Sequence, residues 1–256
     1  MIFRKQEGLS AGYKKRELQV GTIAEVAPLL KSYLTERSLE ISCEESATQD
    51  LFICTHGSHD KCCARYGYPF YRKAKAIAAD LALDQVRVWQ VSHIGGHRFA
   101  PTLVSFPDGR YYGALDEASL TAILTRTGNN ICLNTVYRGW GILPKQVQVL
   151  ERELALQHGW GWFGYRVSYK IINADIETQA MQVELYCEKL GFRSLTYIAN
   201  IIEDASKTQM LIGSCNSDQP SKFVKFKLED LQCVSQTPDW GSAAKLAIVP
   251  SYSKQL

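Results

Sequence analysis

A chain of 256 residues is long enough for one large domain or two small ones, and its 46% hydrophobic and 21% charged content is that of a globular protein rather than a disordered one. A formal charge of +3, from 29 basic and 26 acidic residues, is too slight for a nucleic-acid surface to be expected, and no run approaches the ~18 consecutive apolar residues of a membrane span. The opening Met1-Ile2-Phe3-Arg4-Lys5-Gln6-Glu7 turns polar at once and has no apolar secretory core, so a cytoplasmic protein is expected, in which eight cysteines read as metal or redox groups rather than disulfide staples.

Thr22-Ile23-Ala24-Glu25 has the pattern of a capping box, and Ile23, Val26, Leu30 and Tyr33 follow at helical spacing, which predicts an amphipathic core helix over 23–36. Ser42 to Gln49 reads as a polar linker. Leu51-Phe52-Ile53-Cys54 is a short apolar run suited to a buried strand. Pro69 suits the first turn of a helix with Phe70, Ala74, Ile77, Ala78 and Leu81 on one face, and Val86 to Val91 alternates with the period of a strand. Thr102–Phe106 and Tyr111–Leu115 flank the turn Pro107-Asp108-Gly109, which predicts a hairpin. Asp116 can cap a following helix carrying Leu120, Ile123 and Leu124, with Gly128 as its stop.

Strand, helix, strand, hairpin, helix is the element order of a thioredoxin-like α/β domain. Beyond it, Pro144 opens a helix bearing Val147, Leu150 and Leu154, and the aromatic run Trp160 to Tyr165 reads as a core plug between the two parts of the chain. Strand-like runs at 167–172, 181–187, 196–202, 210–214 and 223–228 predict a small antiparallel sheet. The expected organisation is an N-terminal helical segment (1–47), an α/β domain (48–135), and a helix with an antiparallel β-rich extension (136–256).

Four of the five histidines and three of the eight cysteines fall within residues 54–97, in two groups. Cys54-Thr55-His56-Gly57-Ser58-His59-Asp60-Lys61-Cys62-Cys63 and Ser92-His93-Ile94-Gly95-Gly96-His97 each follow a predicted strand. Parallel strands deliver such loops to one edge of a sheet, where ligands bind. Iron in a [2Fe–2S] cluster takes thiolate donors, histidine can replace cysteine on one iron, and a glycine pair lets backbone approach the centre closely. Spacing alone does not separate Cys62 from Cys63.

Cys54-Thr55-His56-Gly57, Asp60, Cys63, the run His93 to Pro101 and Tyr112-Gly113 resemble the sucrase/ferredoxin-like family of thioredoxin-like ferredoxins, with similarity extending through Tyr137-Arg138-Gly139-Trp140. The resemblance implies a [2Fe–2S] cluster on Cys54, Cys63, His93 and His97, and it favours Cys63 over Cys62. It implies a one-electron carrier served by a redox partner protein rather than an enzyme, and no carboxylate pair supports a glycosidase. Family members commonly carry a longer N-terminal region than residues 1–47, so a short or truncated form is expected.

His56 and His59 are expected to hydrogen-bond a thiolate sulfur or a neighbouring loop or to lie at the surface, Asp60 to stabilise the loop or contact a ligand histidine, and Arg98 to offset cluster charge or lie in solvent. Cys43, Cys132, Cys187, Cys215 and Cys233 are scattered and read as structural, and His158 as a partner of a helix C-terminus. The competing readings are a structural zinc site, since two cysteines and two histidines make a tetrahedral set, and a thiol–disulfide enzyme, for which the C-x-x-C spacing is wanting.

Overall fold

A computed structural model describes residues 1–35, 48–128 and 130–235. Strands β1 (Ile2–Lys5) and β2 (Tyr13–Arg16) pair as a hairpin, followed by α1 (Val26–Thr35). The first sheet is built from β3 (Gln49–Cys54), β4 (Val86–Val91), β5 (Thr102–Phe106) and β6 (Arg110–Gly113), with α2 (Lys61–Asp80) crossing between β3 and β4. Helices α3 (Glu117–Thr125) and α4 (Cys132–Val136) lead to β7 (Tyr137–Trp140), which lies past the expected boundary at 135 and forms the fifth strand, in the order β4-β3-β5-β6-β7. The chain continues through α5 (Val147–His158), β8 (Arg166–Ala174), β9 (Met181–Glu188), β10 (Leu195–Glu203), β11 (Gln209–Ile212), β12 (Pro220–Phe223) and β13 (Phe226–Ser235).

The mixed α/β fold expected from the element order is present. β3 and β4 run parallel, in a register that sets Cys54 level with Val91, and β5, β6 and β7 add antiparallel. The parallel pair fixes the position of the site. Its two strands end side by side, so the two histidine- and cysteine-rich loops leave from the same edge.

Three elements differ from expectation. Helix α2 begins at Lys61, about two turns before Pro69, which lies inside it. Pro69 removes the N–H that would meet the Arg65 carbonyl. The helix continues because Cys63, Gly67, Phe70, Ala74 and Ala78 form one buried stripe against the sheet, and that spacing already starts at Cys63. Helix α1 is not a core helix: it has no buried residue, and Ile23 and Leu34 are exposed, because periodicity encodes an apolar face without supplying an element to cover it. At its start the Glu25 carboxylate accepts hydrogen bonds from Gly21 N–H and the Thr22 hydroxyl, while the Thr22 side chain makes no return bond to the helix. Finally, the C-terminal strands divide. β8, β9, β10 and β13 form an antiparallel sheet, whereas β11 and β12 form a separate hairpin.

One hydrophobic core runs from Leu51 and Ile53 in the first sheet to Val183, Leu185 and Ile201 in the second, with Trp162 and Tyr165 between them. At its centre Glu151 of α5 accepts hydrogen bonds from Arg110 (2.9 Å), Tyr137 (2.8 Å) and Trp162 (2.8 Å), all within one carboxylate oxygen's reach. The Arg110 guanidinium is sandwiched 3.8 Å from the Trp140 ring and 4.2 Å from Phe163. Glu151→Ala leaves a buried cation without its partner, a loss of about 3–5 kcal/mol. Denaturant titration of the variant is expected to show that loss.

Candidate metal centre

Cys54 closes β3 and is fully buried. Asp60 stands at the N-cap of α2 in an extended conformation, so Cys62 and Cys63 occupy the first turn of the helix and not a loop. Helix and strand approach closely here: a Cβ at Gly67 would lie 1.9 Å from the Cys54 carbonyl oxygen. On the second loop Gly95 and Gly96 adopt φ of +87° and +71°, which favours glycine, and turn the chain so that His93 and His97 both face the α2 start.

The donor atoms of Cys54, Cys63 and His93 all lie within 4.8 Å of one another, with Cys63 Sγ 3.7 Å from His93 Nδ1. Three of the four expected ligands are therefore brought together. His97 stands beside them in a second group with Asp60, Cys62 and Cys215, its Nδ1 being 3.5 Å from both Cys62 Sγ and Cys215 Sγ. Asp60 joins the groups: Oδ2 is 3.8 Å from His93 Nδ1, and Oδ1 is 3.6 Å from His97 Nδ1. Two buried polar atoms here, His97 Nε2 and Asp60 Oδ2, have no hydrogen-bond partner.

Burial pushes the Cys63 thiol up, and the Cys54 thiol beside it adds to the rise, so without a metal Cys63 stays protonated. Burial, and then the neighbouring His59, holds His93 below the usual imidazole value, so its ring is the neutral donor that a metal requires. Asp60 behaves in the opposite way. Burial alone would raise its pKa, but hydrogen bonds from Cys215 N–H (2.6 Å) and the Ser214 hydroxyl (3.0 Å) outweigh it and keep the carboxyl below its ordinary range.

Cys215, read from the sequence as a scattered structural cysteine, lies with Asp60, Cys62 and His97 in a group whose donor atoms are within 4.8 Å of one another. It sits in the turn between β11 and β12, and that turn docks onto the site through Asp60 and through Asn216 Nδ2, which donates to the His59 carbonyl (2.7 Å). No local pattern marks Cys215; only the tertiary path of the hairpin brings it in. Arg98 serves the same contact. It donates to the Ile212 carbonyl and stacks 3.9 Å over Phe223, so it holds the hairpin and does not lie free in solvent. His59 stands 4.2 Å ring to ring from His93, with His56 against it at 6.5 Å, and the donor atoms of His59, Asp60 and His93 form a third group within 4.8 Å. His158 ends α5 but is packed on Trp162 and lies 2.7 Å from the Tyr197 hydroxyl, and burial lowers its pKa, so it is no cationic partner of the helix terminus. Cys132 lies in α4, Cys187 and Cys233 lie in the second sheet, and Cys43 falls outside the described residues.

The sucrase/ferredoxin-like profile matches residues 6–139, just over half of the chain. The chain belongs to that family. Among sucrase/ferredoxin-like relatives it is similar to Altered inheritance of mitochondria protein 32 of Meyerozyma guilliermondii, 25% identical over 112 residues, which is 42% of this chain and 40% of that protein. The protein of the same name from Debaryomyces hansenii is 32% identical over 104 residues, 38% of this chain and 37% of the relative. The chain thus spans about two fifths of the length of each. Both segments rich in cysteine and histidine lie inside the matched region, while Cys215 and its hairpin lie beyond it. Among the described residues no helix is long and apolar enough to cross a membrane.

Two outcomes follow from this geometry. Gly67→Ala is expected to force α2 off β3, lowering the midpoint of thermal unfolding. Asp60→Asn is expected to cost about 1.5–3 kcal/mol at pH 7, since it removes charge-assisted hydrogen bonds. Because the folded carboxyl is depressed, its contribution is complete above the unfolded value of about 3.9 and fades as pH falls through the folded value. Urea titrations of the two proteins are therefore expected to differ at pH 7 and to converge in acid.

Proposed function

We propose that the chain is a one-electron carrier that holds a [2Fe–2S] cluster on Cys54, Cys63, His93 and His97. The observation that carries this reading is the convergence of two cysteine sulfurs and one imidazole nitrogen within 4.8 Å at a buried sheet edge, with a second imidazole beside them. A single tetrahedral ion needs all four donors inside one shell, whereas a two-iron centre distributes its terminal ligands over two metals. That His97 stands outside the tight trio suits the two-metal centre. The unpartnered His97 Nε2 and Asp60 Oδ2 are further signs of a site built for a polar or charged occupant.

Such a cluster supplies a centre that accepts and returns one electron. The residues of the chain set its properties. Two neutral imidazoles in place of thiolates put less negative charge on the centre, which raises its potential relative to an all-cysteine site. His93 faces the Cys54 and Cys63 thiols through Nδ1, which leaves its Nε2 to hold a proton. With a cluster bound, that nitrogen would be where a proton is held as an electron is taken up. A redox partner protein would dock at this edge of the sheet. A reducing compartment such as the cytoplasm suits seven cysteines that are all free thiols among the described residues.

Anaerobic purification is expected to yield a red-brown protein with iron and acid-labile sulfide in equal amounts and an EPR signal on reduction. Cys54→Ser and Cys63→Ser are expected to lose that iron, and Cys62→Ser to keep it. Protein-film voltammetry over roughly pH 6 to 10 is expected to show a potential that falls as pH rises. A flat profile overturns the proton coupling, and a protein without iron or sulfide overturns the carrier.

One observation favours a second reading. Asp60, Cys62, His97 and Cys215 place four donors within 4.8 Å of one another, a set that fits a single zinc ion. A colourless zinc protein that loses its metal in Cys215→Ser, and not in Cys54→Ser, would establish it.

A further inference from the structure

We infer that Cys62 and Cys215 form a reversible dithiol–disulfide pair, a modification site separate from the four proposed ligands, which fastens the β11–β12 hairpin to the start of α2. Their sulfurs lie 3.3 Å apart although the residues are 153 positions apart in sequence. A side-chain adjustment closes that gap to the bond length of about 2.05 Å. Both are free thiols, Cys62 partly buried and Cys215 exposed.

The proximity is imposed by a built contact. Asp60 accepts from Cys215 N–H and from Ser214, Asn216 donates to the His59 carbonyl, and Arg98 reaches across to Ile212 and Phe223. These bonds hold the hairpin turn against the helix start, so the pair meets without any large movement. The sequence has no C-x-x-C motif, yet the fold brings together two thiols from segments 153 positions apart.

The oxidant that balances the step is a low-molecular-weight disulfide such as oxidised glutathione. The exposed Cys215, as thiolate, attacks one sulfur of the oxidant, forming a mixed disulfide and expelling one glutathione thiolate. Cys62, as thiolate, then attacks the Cys215 sulfur, forming the internal bond and releasing the second glutathione. The protein loses two protons and two electrons, and the oxidant is reduced to two thiols. Both sulfurs lie 3.5 Å from His97 Nδ1, so joining them removes two thiolate donors that compete for any metal held by His97.

The test treats the anaerobically purified full chain with oxidised glutathione, digests it with trypsin without reduction, and reads linked peptides by mass spectrometry, with iron and absorbance followed in parallel. The expected product joins the peptide Cys62–Arg65 to Thr208–Lys222 within one chain and disappears on adding a dithiol reductant. It is expected to be lost in Cys62→Ser and Cys215→Ser and kept in Cys63→Ser. In Cys62→Ser, Cys215 is expected to retain bound glutathione. Native far-ultraviolet dichroism of both variants shows that they fold. A treated wild-type chain in which both thiols stay unlinked, Cys215 stays glutathionylated, or Cys215 joins Cys63 or another chain overturns the inference. Because Cys62 and Cys63 share one tryptic peptide, the linked residue is read from fragment ions and from the Cys62→Ser and Cys63→Ser variants, and the cluster from iron and absorbance, so failure of one is distinguishable from failure of the other.

Discussion

A single buried carboxylate organises this end of the molecule. Asp60 is 1% exposed and meets three segments that are far apart in sequence: the start of α2, the glycine turn carrying His93 and His97, and the hairpin turn carrying Cys215. A buried carboxylate is costly unless hydrogen-bonded and charge-compensated. Ser214 and Cys215 satisfy Oδ1 alone, leaving Oδ2 without a hydrogen bond and 3.8 Å from the rings of both His93 and His59. That unbalanced oxygen makes the pocket between the histidines electrostatically favourable for positive charge, whether a proton or a metal.

The two parts of the chain are joined just as firmly. Glu151 on α5 receives Arg110 and Tyr137 from the first sheet and Trp162 from the turn leading into the second. The match to the sucrase/ferredoxin-like family stops at residue 139, inside β7, yet the hydrophobic core continues through α5 into the second sheet. The extension is therefore part of the same folded unit, and its hairpin supplies a thiol to the site.

Local readings succeeded where the interaction was itself local. The turn Pro107-Asp108-Gly109 gives the β5–β6 hairpin, and Asp116 caps α3 through Ser119, because both depend on residues a few positions apart. They failed where a distant partner decided the outcome. Pro69 looked like a helix start, but the stripe from Cys63 to Ala78 packs well enough on the sheet to carry the helix through it. α1 has no buried residue among the described ones, and Arg98 and His158 take partners, Phe223 and Tyr197, that lie over 100 and 39 positions away.

The amino-acid sequence by itself determined the α/β element order and the two loops rich in cysteine and histidine, because strand period, turn chemistry and residue type are written within short windows. It also carried the family, since the loop motifs are contiguous. Only the tertiary structure decided that His97 stands apart from the Cys54, Cys63 and His93 trio, that Asp60 ties the loops together, and that Cys215 lies 3.3 Å from Cys62. Those facts depend on how a hairpin far along the chain folds back over a helix start, and no periodicity or spacing encodes the distance between residues that meet only through the packing of a shared core.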